Sequence, residues 1–222
     1  MVSAMGRSEG LREEDSRPTW EQRSLDRVGR QALRRSHEII EAARELLAEG
    51  GLEAVTLRPL LERSGLSRRA FYDRFEGMDD VFLALFEDTM ARGAAGIAKR
   101  IAKVEGAPAK IEVIVRSMAS AARSPSKHRM WILAMSSQHV RLAERRPEEL
   151  QDAIRPMTDL TAQILAEGME GGTIRSADPD SLAETLHALV AAEVHRNLHR
   201  DRRGKRWIDE LCEFCLHGIE AR

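Results

Sequence analysis

Apolar residues in this 222-residue chain recur every three or four positions, and nowhere do they alternate for the length of a strand. The first strong stripe is Ile39, Ala42, Ala43, Leu46 and Leu47. It predicts a helix over 31–49, stopped by Gly50-Gly51. Two shorter segments follow. Thr56 and Ser67 stand as N-caps, with Val55 and Leu60, then Leu66 and Phe71, at staple spacing. Pro59 falls in a first turn, where its missing N–H is harmless. Gly65 gives the link between the two helices its backbone freedom.

The next stripe, Val81, Phe82, Leu85, Phe86, Ile97 and Ile101, predicts a long helix over 79–104. Gly93 and Gly96 soften its middle, as a hinge or as tolerated defects. Breaks at Gly106 and Pro108, at Ser124-Pro125-Ser126 and at Pro147 set off helices over 109–123 and 127–145. The helix opened by Pro147 is expected to kink or divide at Pro156 and to end near Gly171-Gly172. Helices over 179–200 and 205–221 complete the chain. The expectation is an all-α fold of about nine helices. It has an arm at 1–30, a three-helix unit at 31–78 and a larger helical unit at 79–222.

Composition supports this picture. Aromatics are only 4% of residues and Ala, Leu, Glu and Arg are abundant, a mixture that favours helices. The net charge of −1 gives no global attraction to nucleic acid, so any such binding must come from a local face. The arm mixes Arg7, Arg12, Arg17, Arg23, Arg27 and Arg30 with Glu9, Glu13, Glu14 and Asp15. The arginines suit a minor groove; the interspersed acids suit a solvated tail. No apolar run reaches a membrane span and no secretory leader opens the chain, so a cytoplasmic protein is expected.

Local chemistry concentrates on the segment 67–75. Phe71 and Phe75 are four apart and pack inward, whereas Arg69, Tyr72 and Asp73 share another side with Arg68 at its leading edge. Such a helix suits a major groove with its N-terminal end toward the bases, and the bland alternative is a solvated helical hairpin. His195 and His199 have chelating spacing but no third ligand, so no metal is expected. Cys212 and Cys215 have redox-motif spacing without its βαβ setting, and read as small packed residues. No catalytic set or cofactor motif is present, so an enzyme is not expected.

The segment resembles the DNA-binding domain of the TetR family of bacterial transcription regulators. The likeness rests on Thr56, the turn Ser64-Gly65-Leu66-Ser67 and the closing Tyr72-Asp73-Arg74-Phe75. It extends from about Arg35 to Met90, through Ile39–Leu47 and Asp79–Phe86. Leu61 stands where Ala is usual, Arg69 where a small residue is common, and Gly77-Met78 where Ser-Lys often opens the fourth helix.

The resemblance implies a homodimeric repressor that binds double-stranded operator DNA and is released by a small apolar effector. Arg68 and Arg69 would meet guanine edges or phosphates, Tyr72 a phosphate, and Thr56 and Ser67 the backbone. Asp73 would accept from a cytosine amino group or orient an Arg, and Arg58, Ala70 and Arg74 complete the expected DNA face. Met118, Trp131, Met135 and Met157, with Leu160, Ile164, His139 and His187, form either plain core or an effector pocket. Val190, Val194, Leu211, Cys215, Leu216 and Ile219 are the expected dimer interface. Two rivals are a DNA-binding regulator controlled by a protein partner or by no ligand, and an all-helical interaction scaffold.

Overall fold

The computed structural model describes residues 19–120, 126–199 and 205–221, with side chains omitted for 19–28, 126–130 and 199. Among these residues the fold is all-α. The helices are α1 (Thr19–Gly50), α2 (Leu57–Ser64), α3 (Arg68–Tyr72), α4 (Met78–Ile101) and α5 (Ala107–Ser120). They continue as α6 (Ser126–Arg145), α7 (Pro147–Glu170), α8 (Pro179–His199) and α9 (Arg206–Ile219). A single 3-10 turn, Leu52–Ala54, links α1 to α2. The only strand-like pairing among the described residues is the isolated bridge of Ile174 with Glu220.

The α1 helix starts at Thr19, well upstream of the expected Gln31. Polarity alone assigns the segment 19–30 to an arm. Its Glu, Gln, Arg and Leu residues are nonetheless good helix formers, and a nucleated helix propagates through them at little cost. The arginines at 7, 12 and 17 lie outside the described residues.

Pro156 neither divides nor ends α7, which is continuous from Pro147 to Glu170. A proline removes one intrahelical donor. Nearby hydroxyls add bonds to backbone carbonyls in the same stretch: Thr158 Oγ1 donates to the Arg155 carbonyl at 3.2 Å and Thr161 Oγ1 to that of Met157 at 2.9 Å.

Two apolar clusters organise the molecule. One joins Ile39 and Leu47 of α1, Leu60, Phe71 and Phe75 to Phe82 and Leu85 of α4. It also takes in Met135 and Leu142 of α6 and Ile154 of α7. The core of the first three helices is therefore continuous with α4, α6 and α7 across the expected boundary at 78/79. The second cluster runs through Ile97, Ile111, Val115, Leu165, Val190, Ile208 and Cys215.

Four residues expected at a dimer seam are instead core of this chain. Val190, Leu211, Cys215 and Ile219 are all buried within the protomer. The broad apolar face of α9 finds its partner in α5. Leu216 is half-buried, and Phe214, which that reading left out, is 69% exposed.

Gly168 marks a close approach within this core. A Cβ there would lie 2.6 Å from both the Ala107 Cβ and the Ile174 Cδ1. Gly168→Ala is expected to destabilise the fold by about 1–3 kcal/mol, since neither neighbour is a long flexible side chain. Urea unfolding would measure this. A midpoint unchanged from wild type would show that the α5–α7 contact relaxes freely.

Candidate DNA-binding face and effector cavity

The short α3 helix is placed by its own sequence. Gly65 caps α2 in the left-handed region at φ 68°, so the chain reverses at once. Ser67 then accepts from the Ala70 N–H through its hydroxyl at 3.2 Å. Thr56 does not act in the same way: it adopts the extended N-cap conformation, but its side chain makes no capping bond. Its carbonyl accepts from the Leu60 N–H at 3.1 Å, so the backbone alone starts α2. Thr56 is thus left exposed with a free hydroxyl face.

Phe71 anchors α3 inward, 1% exposed, with its ring 5.7 Å from that of Phe75. On the opposite side Arg68, Arg69, Tyr72 and Asp73 are all exposed. Arg68 and Arg69 make no ion pair with another described residue. Tyr72, 55% exposed, stands edge-on to Phe71 at 5.2 Å, so its ring is held while its hydroxyl stays in solvent.

Two expected members of this face are otherwise engaged. Arg74 is half-buried and donates to the Ala70 carbonyl at 2.6 Å and to Ala32 of α1 at 3.4 Å. It ties α3 to α1. Ala70 is half-buried beside it. Arg58 is exposed and paired with Glu62 at 2.9 Å, one turn along α2. Arg63 fastens α2 to α1 through Glu45 at 2.9 Å and Glu49 at 2.7 Å, and that bond holds the Glu49 carboxyl below its ordinary range.

The start of α4, next to this unit, is clamped from below. Asp79 takes Arg141 at 2.5 Å, and Asp80 takes Arg146 as well as the Glu76 N–H at 2.6 Å. Further along, Asp88 of α4 pairs with Arg44 of α1 and with Arg92 at 2.9 Å. The Arg44 guanidinium also lies over the Trp131 ring of α6, 5.2 Å from its centroid.

Trp131 also lines a cavity of about 720 Å³ between α4, α5, α6, α7 and α8. Its lining is mostly apolar and includes Met118, Trp131, Met135 and Met157, with His139 and His187 as expected. Leu160 and Ile164 do not reach it. They lie on the side of α7 that packs into the second cluster, one and two turns beyond Met157. Val190 and Val194, assigned above to a dimer seam, line the cavity instead.

Sequence reading missed the small residues that make the space. Gly93 lines the cavity, and a Cβ there would meet the Met157 Cε at 3.2 Å. The α4 helix runs unbroken through Gly93 and Gly96, so the visible role of Gly93 is to leave room. Ala188, Ala191 and Ala192 of α8 line the cavity in the same way. The signal was present as small residues on two helix faces, but small residues do not announce which gap they leave.

The polar groups of the cavity are few. Thr89 and Ser117 spend their hydroxyl protons on backbone carbonyls at 2.6 and 2.5 Å. Ser136 Oγ and His195 Nδ1 bond at 2.7 Å, which engages one of the two histidines suggested for a metal; the side chain of His199 lies outside the described residues. Burial holds the His139 imidazole below its ordinary value, with His195 adding to the effect. Burial pushes His187 down to about 4, helped by His139. Cys212 and Cys215 are buried thiols raised by desolvation, Cys215 to about 11, so both stay protonated as packed groups.

A group whose folded pKa is depressed in this direction is neutral in the native state and charges on unfolding. His187 therefore contributes stability that is fully present above about 6.5 and is lost as pH falls toward 4. Between neutral pH and about pH 5 the expected loss from this residue is about 2 kcal/mol. The wild-type stability curve should fall more steeply over that window than the curve of His187→Gln. Parallel curves would show that His187 does not carry the effect.

These elements define an all-helical protein with a helix-turn-helix unit at one end and an apolar cavity beneath it. Residues 39–85 match the family model "Bacterial regulatory proteins, tetR family". The likeness to the TetR family lies in this module. It is 42% identical over 65 residues to the HTH-type transcriptional repressor AcnR of Corynebacterium diphtheriae, covering 29% of this chain and 34% of that one. Over 57 residues it is 44% identical to AcnR of Corynebacterium glutamicum, covering 26% and 30%. The alignments thus span about a third of the length of these relatives.

Solved structures extend the likeness in fold to most of the chain. A transcriptional regulator FadR from Bacillus subtilis in complex with stearoyl-CoA superposes with a TM-score of 0.65 at 16% identity, covering 83% of this chain and 99% of that one. RolR in complex with resorcinol gives a TM-score of 0.67 at 17% identity, covering 87% and 91%.

Proposed function

We propose that this chain is a DNA-binding transcriptional regulator, a repressor released from its operator by a small, largely apolar effector. The observation that carries the reading is the exposed face of α3. Arg68, Arg69, Tyr72 and Asp73 project from a helix whose other side is locked by Phe71, Phe75 and Arg74. Donors, an acceptor and a phenol on a rigid mount are what a major groove requires. That the AcnR relatives are named repressors supports the same reading. Selection of genomic fragments by the purified chain, followed by sequencing, tests it. A single recurrent near-palindromic site is expected, and retention without sequence preference would overturn the base-reading role.

The cavity favours control by a ligand over control by a protein partner. It is large and apolar enough for a small molecule. Two solved structures of the same fold contain bound ligands, stearoyl-CoA and resorcinol. The physical link to DNA runs through Trp131. It lines the cavity and also carries over its ring the Arg44 guanidinium, which is paired to Asp88. An occupant that shifts Trp131 disturbs the seat of α1 on α4, and α1 carries the base of the DNA-binding unit. Release then follows if the occupant binds the DNA-free arrangement more tightly.

Operator recognition by two half-sites requires a dimer. With Leu211, Cys215 and Ile219 enclosed in the protomer, the surface left for a partner is the outer side of α8 and α9, where Phe214 stands in solvent. Phe214→Glu is expected to yield folded monomers by sedimentation. A dimer as tight as wild type would move the interface elsewhere.

A further inference from the structure

Within the cavity, His187 has an unmet demand. It is only 6% exposed, and its Nδ1 is sealed from solvent without a hydrogen-bond partner. No bond from its ring to another described residue is formed; its nearest polar neighbour is the His139 ring, 6.3 Å away between centroids. Both rings line the cavity. A buried polar group without a partner is costly, and most such groups in native structures are paired with protein or with a bound molecule.

The other polar groups restrict what that something is. Thr89 and Ser117 have committed their protons to the backbone, so they can only accept. Ser136 Oγ and His195 Nδ1 are already bonded to each other. Apart from the histidines, the only lining side chains that ionise are Arg100 and Glu144, and both are exposed. An ionised occupant would lose its hydration to neutral, mostly apolar walls. A hydroxyl both donates and accepts, so it serves His187 Nδ1 in either tautomer, once a half-turn of the ring turns that atom out of its sealed position.

We infer that the cavity binds an uncharged, mostly apolar molecule through a single hydroxyl-type group held by His187. This rests on reading the cavity as the effector site, and it adds the charge, polarity and anchoring residue of the effector. Selectivity follows from the same asymmetry. A site built to pair a hydroxyl rejects the analogue lacking it more strongly than an apolar wall rejects a change of one methylene. His187 acts here as a specificity determinant, and the apolar walls supply the rest of the binding.

The test uses the full chain and three probes of one size: naphthalene, 2-naphthol and 2-naphthoate, titrated calorimetrically at neutral pH. The expected result is 2-naphthol binding at least about tenfold more tightly than naphthalene, with 2-naphthoate the weakest. In His187→Leu the naphthol advantage should fall to about twofold or less while naphthalene affinity is kept. In His187→Gln, which keeps a hydrogen-bonding group, part of the advantage should return.

Equal affinity for naphthol and naphthalene in wild type would overturn the inference without any variant. An advantage that survives in His187→Leu would assign the hydroxyl to another group and would also overturn it. Tightest binding by 2-naphthoate would replace it with an anion site at Arg100. Failure of all three probes would remove the cavity as a ligand site and take the effector reading with it. Binding as expected, without any effect on operator affinity, would leave the inference standing and overturn only the release step.

Discussion

Replacing Arg68 and Arg69 together by Ala is expected to reduce operator affinity by roughly thirtyfold or more. Each bidentate contact to a guanine edge is worth about 1–3 kcal/mol, and every 1.4 kcal/mol is about tenfold. Both side chains are exposed and make no ion pair with another described residue, so their removal should leave the fold in place. The salt dependence should become shallower if either arginine also neutralises a phosphate. The flattened positions in an operator-mutation matrix would show which base each one reads. Arg58→Ala is the comparison, because Arg58 is paired with Glu62 and stands on α2. Retention of wild-type affinity and base preference by the double variant would remove α3 as the reading helix.

Arg44→Met should separate the two halves of the proposed mechanism. Arg44 does not line the cavity, so effector binding should persist. Its guanidinium is held between the Trp131 ring and the Asp88 carboxylate, with its Nε 3.4 Å from the Glu41 carboxylate. Asp88 and Glu41 both keep Arg92 in the variant, at 2.9 and 4.0 Å, so neither carboxylate is left without a partner. If this contact transmits occupancy, the effector's influence on operator affinity should fall from a typical 5–150-fold to about unity. Trp131→Phe, which weakens the cation–π contact and keeps an aromatic wall, should give an intermediate value. Operator titrations with and without a cavity-binding molecule measure both. Undiminished coupling in Arg44→Met would place the route elsewhere, with the clamps of Asp79 and Asp80 on Arg141 and Arg146 as the next candidates.

Reading by charge alone would miss the proposed binding face. The net charge is −1, and much of its Arg is paired with Asp or Glu along or between helices. What distinguishes α3 is that its arginines are left out of such pairs while its neighbours Arg58, Arg63 and Arg74 are engaged. Pairing is a property of three-dimensional proximity. For that reason the sequence alone does not separate Arg58 and Arg74 from Arg68 and Arg69.

The sequence by itself determined the local grammar of the DNA-binding unit and the helical class of the whole. Gly65 in the left-handed turn, Ser67 as a side-chain cap, and Phe71 with Phe75 turned inward are set by residues within a few positions of one another. The order of the helices follows in the same way from periodicity and from Gly and Pro breaks. Only the tertiary structure decided what the later apolar faces meet. The stripe of α9 could equally have covered a second protomer; it covers α5, because that contact is available within the chain. Val190 and Val194 could have faced a partner; the packing of α8 against α7 turns them toward a space that Gly93 and the alanines of α8 leave open. A hydrophobic pattern states that a face must be buried and says nothing about its partner. A cavity has no residue of its own in the sequence, since it is defined by side chains that are too small to fill it.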